Sequence, residues 1–77
     1  MKKAKVIYKD GWLLQFPKQG NAPMLFLEHL SLFVAAKCPI HWVGNNKDGY
    51  EDTMFHVRLN LDKKMIQEFA SYINANL

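Results

Sequence analysis

Residues Ala22 to Lys37, APMLFLEHLSLFVAAK, form the most apolar continuous stretch of the chain, and how that stretch is read decides the fold. Asn21 stands where a cap belongs, and Pro23 lies near the first helical turn, where a missing N–H costs nothing. Pro39 biases Cys38 away from helical angles, so the helix is expected to stop near Lys37. On a helical projection Phe26, Leu27, Leu30, Phe33 and Val34 form a broad stripe for a sheet to cover. Leu25, Leu32 and Ala36, with His29 among them, form a second stripe opposite, leaving Glu28, Ser31 and Lys37 as polar surface. A lone helix on an open sheet has no use for that second stripe. Either another helix covers it or another chain does.

On the amino side of this helix, Lys3 to Lys9 alternates, with Ala4, Val6 and Tyr8 on one side and Lys3, Lys5, Ile7 and Lys9 on the other. Asp10-Gly11 marks a hairpin turn, and Trp12 to Phe16 returns with Trp12, Leu14 and Phe16 inward and Leu13 and Gln15 outward. Pro17 ends that strand, and 18–21 make a loop. On the carboxyl side, Pro39 to Val43 reads as a short third strand, followed by the turn-rich loop GNNKDG at Gly44 to Gly49. Residues 53–59 give a fourth strand with Phe55, Val57 and Leu59 inward and Met54, His56 and Arg58 outward. Asn60 or Asp62 then caps a last helix to Asn76, whose apolar side is Met65, Ile66, Phe69, Tyr72, Ile73 and Leu77.

The order ββαββα predicts one small α+β domain over residues 1–77, an antiparallel sheet with two helices packed on it. Lys-Asp-Gly followed by an aromatic occurs at Lys9 to Trp12 and again at Lys47 to Tyr50, each followed by a strand, a cap and a helix. Four positions do not separate a duplication from ordinary turn preference.

With 77 residues, 49% apolar and 13% aromatic, the chain is too rich in large side chains for disorder and has room for one core. Its only cysteine, Cys38, excludes an internal disulfide and a four-thiolate site. Asp10 and Gly11 interrupt the basic start before a signal-peptide apolar region can form, and Ala22 to Ala36 is too short to span a bilayer. A soluble cytoplasmic protein is expected. The net charge of +3 is uneven: residues 1–18 hold five lysines against Asp10, while the remainder holds five cations against six carboxylates. The basic character belongs to the first hairpin.

Chemistry finds little support. His41 and His56 share outward parity on strands that could pair, with Cys38, Glu51 or Asp52 as further ligands, yet no short paired-ligand spacing occurs, so no metal or other cofactor is expected. Cys38 sits at a helix carboxyl end, where the dipole opposes a thiolate, and Ser31 has no orienting acid nearby. The loop at Gly44 to Gly49 lacks the order of a phosphate loop. A non-enzymatic protein is therefore expected, one that binds another protein as a regulator or inhibitor of the small kind encoded by phages or mobile elements. The expected self-contact is a homodimer through Leu25, His29, Leu32 and Ala36. The alternative is a nucleic-acid binder using the basic hairpin and the outward sheet face, with Lys5, Lys9, Leu13, His41, His56 and Arg58 and the loop residues Asn45, Asn46 and Lys47. That face lacks the exposed strand aromatics of a base-stacking platform.

Overall fold

A computed structural model describes residues 3–36, 38–44, 47 and 49–77, without the side chains of 34–36. Lys37, Asn45, Asn46 and Asp48, and the side chains of Val34 and Ala36, lie outside that description. Its elements follow the expected order ββαββα. They are β1 (Lys5–Tyr8), β2 (Trp12–Pro17), α1 (Ala22–Leu30), a 3-10 segment (Ser31–Ala36), β3 (Ile40–Trp42), β4 (Met54–Leu59) and α2 (Lys63–Asn76).

The four strands make one antiparallel sheet in the order β1-β2-β4-β3. Alternation puts Leu14, Phe16, Val57 and Leu59 on the face that the helices cover, where they are buried with Ala22, Leu25, Phe26, Ile66, Phe69, Ala70 and Ile73. At its centre Phe16 stacks on Phe26 at 4.9 Å, and Phe26 meets Phe69 at 5.6 Å. Helix α2 starts on Asp62, whose Oδ1 accepts a 2.9 Å bond from the Met65 N–H, so Asp62 and not Asn60 is the cap. Near its other end, Asn74 pairs with the backbone N–H and C=O of Ala4, both at 2.8 Å. That amide holds the start of the chain against α2.

Helix α1 departs from expectation in length, cap and phase. Asn21 has helical angles and makes no side-chain cap; only its carbonyl accepts from the Leu25 N–H. The α-helix ends at Leu30 because the Ser31 hydroxyl donates to the Glu28 carbonyl at 2.6 Å, the acceptor that the Leu32 N–H would use. The chain tightens there into the 3-10 segment. As for phase, Leu25 is buried, whereas Leu27, expected in the core, is 57% exposed. The reason is α2. It packs against the side of α1 carrying His29, whose ring lies 4.5 Å from Phe69 and 4.8 Å from Tyr72, while Glu28 accepts the Tyr72 hydroxyl at 3.1 Å. Burial is shared between a sheet below and a helix beside, so the buried arc turns towards α2. Leu77, expected on the apolar side of α2, and Tyr8, expected inward, are both exposed, since each lies at the end of its element.

The outward sheet face is not open. Leu13, Gln15, Met54 and His56 point away from the helices, as their parity requires, and are nevertheless buried. The chain after β3 returns across this face. Tyr50 meets the His56 ring at 4.7 Å, and Lys9 Nζ lies 4.1 Å over Tyr50. Under this cover His56 Nε2 and Gln15 Oε1 make a buried 3.0 Å hydrogen bond. The cover depends on Gly44, whose φ of +85° few L side chains adopt and where a Cβ would run into the Tyr50 ring. Gly44→Ala is expected to displace Tyr50 and expose His56, at a cost of about 1–3 kcal/mol from backbone strain and lost packing. Hydrogen–deuterium exchange of the β2 and β4 amides reads this; unchanged protection would mean that Tyr50 does not cover them.

Candidate functional site

The residues expected on the surface separate into three groups. Leu25 and His29 are taken up by the packing against α2, and Leu32 alone of the expected dimer stripe is exposed among the described side chains, at 71%. The correction has a simple cause. The part of the second apolar stripe that carries Leu25 and His29 is where α2 sits, so those two are core, whereas Leu32 stays outside that contact.

In the outward sheet face, Leu13 is buried, His56 lies against the Tyr50 ring, and Lys9 packs over that ring. Arg58 Nη1 donates to the Asp10 carbonyl at 2.8 Å and Nη2 to the Lys9 carbonyl at 3.3 Å, clamping the β1–β2 turn. A Cβ at Gly11 would meet that guanidinium, which explains glycine there beyond its φ of +119°. Lys5, His41 and Lys47 remain exposed. The face expected to meet phosphates is therefore mostly closed, because aromatic cover and a turn clamp occupy its groups. A groove of about 430 Å³ at this end of the sheet is lined by Trp12, Pro39, His41, Arg58 and Leu59 to Leu61.

Two of the three histidines, His29 and His56, are engaged in packing. Burial holds the His29 imidazole below its ordinary pKa against an opposing pull from Glu68, and neither ring nitrogen has a hydrogen-bond partner. Burial also lowers His56, opposed by Glu51 and reinforced by Lys9 and Lys18. Burial raises the Cys38 thiol, so it is a poorer nucleophile than a free cysteine. Among the described residues no three of His, Cys, Asp and Glu come together as a metal set. No helix of the described chain is long and apolar enough to cross a membrane.

What remains exposed and unaccounted for is apolar. Met24 and Leu27 on α1 are each 57% exposed, and Trp42 on β3 is 55% exposed. The Trp42 ring leans over the sheet end of the core, 5.7 Å from Phe26, 5.3 Å from Phe55 and 6.2 Å from Phe16. Passing round α1 from His29, which faces α2, one meets Phe26, then the half-buried Leu30 and Pro23, then Leu27. Leu27 thus projects on the flank of α1 away from α2, and Met24 lies beyond it on the outer side of the helix, towards Glu28. Sequence reading missed this surface by one step of helix phase. The aromatic pair Phe26 and His29 was the available signal, since α2 and Trp42 claim one each.

No family model matches the chain, and neither a curated protein nor a solved structure shows significant similarity to it.

Proposed function

We propose that this protein is a small non-enzymatic interaction module that binds another protein through the β3-facing flank of α1. The observation that carries the reading is the exposure of large apolar side chains on α1 and β3, Leu27 with Met24 three residues before it and Trp42 on the edge strand. Single exposed apolar residues are ordinary, but an apolar cluster anchored by a half-buried tryptophan has the composition of an interface centre. Binding without chemistry makes the protein a regulator or inhibitor of its partner. Nucleic-acid binding has no such observation behind it, since Arg58 and Lys9 are occupied within the fold.

Leu27→Asp is expected to change folding stability by less than about 0.5 kcal/mol, because the side chain is solvated. The same substitution should weaken partner capture at least tenfold, whereas Lys5→Ser should leave capture unchanged. Crosslinking in the native cells followed by quantitative mass spectrometry of both variants checks this. Equal recovery of every crosslinked protein from wild type and Leu27→Asp would remove the α1 flank as the contact.

A further inference from the structure

The two edges of the sheet are not alike. On the β1 side Lys3, Lys5 and Lys9 stand along the strand, the usual protection against edge-to-edge pairing. The β3 side carries Pro39, Ile40, His41, Trp42 and Val43, with neither a lysine nor a carboxylate. The proline precedes the strand and blocks nothing within it.

Backbone parity shows which groups this edge offers. The Asn60 N–H donates to the Pro39 carbonyl at 3.4 Å, and the Val43 N–H donates to the His56 carbonyl at 3.0 Å. Residues 39, 41 and 43 therefore direct their polar groups at β4, and Ile40 and Trp42 direct theirs away from it. No other strand lies on that side, because β3 ends the sheet. Nothing among the described residues bonds those outward groups.

We propose that β3 pairs antiparallel with β3 of a second copy about a two-fold axis at His41, joining the two sheets into one. Ile40 then lies opposite Trp42 of the second copy, each bonding the other reciprocally through the outward groups, and His41 faces its own counterpart. A two-fold axis perpendicular to the sheet keeps both helix layers on the same side. The flanks of the two α1 helices that carry Leu27 then face each other above the new strand pair. The inference rests on the interaction reading above and names its partner.

Charge and area both fit a second copy. Residues 39–43 hold no lysine, arginine or carboxylate, so two copies of this edge approach without such like charges facing each other. Leu27 and Trp42 together leave roughly 250 Å² of apolar side chain per copy. One side of a small specific interface holds roughly 350–450 Å² of apolar area, and the half-buried Pro23, Leu30 and Ile40 supply the difference.

Sedimentation velocity between about 5 and 500 µM should show a monomer–dimer equilibrium. His41→Lys, which sets like charges opposite each other on an exposed position, should weaken it at least tenfold. The register has its own test. In a non-hydrogen-bonded antiparallel pair the Cα atoms approach to about 4.5 Å, within the range of a disulfide. His41→Cys in a Cys38→Ser background should therefore oxidise to a covalent dimer, and Tyr8→Cys in the same background, on the lysine-bearing edge, should not. A monomer at the highest concentration overturns the proposal, and so does a wild-type dimer whose His41→Cys form does not crosslink. In either case a capture defect of Leu27→Asp with some other protein would leave the interaction reading standing.

Discussion

Phe26→Ala is expected to cost about 3–5 kcal/mol, a large part of the roughly 4–12 kcal/mol that a chain of this length has in total. Phe26 is fully buried and touches the sheet, α2 and Trp42 at once. It stacks on Phe16 in the sheet, tilts against Phe69 in α2 and meets the edge of Trp42 on β3. Truncation leaves a cavity where three rings converge, and rings are stiff, so the site collapses poorly. Urea unfolding followed by tryptophan fluorescence should show a much lower midpoint with an unchanged slope. A loss below about 1 kcal/mol would mean that Trp42 and Phe69 do not pack on Phe26.

Mild acid is expected to destabilise the fold, and the sign follows from two histidines. Burial lowers the pKa of both His29 and His56 in the folded state. An unfolded histidine titrates near 6.5, so above that pH neither state binds the proton and stability is flat. As pH falls below about 6.5 the unfolded chain takes up protons that the folded chain refuses. Stability then drops by up to about 1.4 kcal/mol per pH unit for each histidine, until the folded pKa values are passed. Carboxylates titrate lower, so the fall between about pH 6.5 and 5 belongs to imidazoles. Urea midpoints across that range should decline steeply, and a flat profile would remove the burial argument.

His29→Leu separates the two contributions. Both ring nitrogens of His29 are buried without a hydrogen-bond partner, and the neighbouring rings of Phe33, Phe69 and Tyr72 suit an apolar side chain. The substitution is expected to raise stability at neutral pH by about 1 kcal/mol and to reduce the acid slope by about half. His56 behaves differently because Gln15 satisfies it. Removing Gln15 would leave a buried ring nitrogen unpaired, at a cost of about 1–3 kcal/mol.

The helix-facing side of the sheet was readable because it rests on period-two alternation, which depends only on neighbouring residues. Leu14, Phe16, Val57 and Leu59 fall inward as their positions require. The outward residues were assigned to the correct face as well, but their exposure was not readable. Leu13 and His56 have the parity of a surface and the burial of a core, and for His56 the cover is Tyr50, whose ring lies against Gly44 and beneath Lys9. Contacts of that kind join residues distant in the chain, and no local pattern announces them.

What the sequence by itself determined is the order ββαββα, the antiparallel pairing of the hairpin strands, the apolar side of α2 and the lysine-rich character of the first edge. Each follows from periodicity, a turn signal or a count of charges. Only the tertiary structure decided what covers the second apolar stripe in Ala22 to Lys37. Helix α2 takes up the side of α1 that carries Leu25 and His29, and the resulting turn of α1 leaves Leu27 and Met24 at the surface. The physical reason is that a helix with apolar residues on most of its circumference has no preferred phase of its own. Its neighbours choose which arc to bury, and the arc left over becomes the surface available for binding.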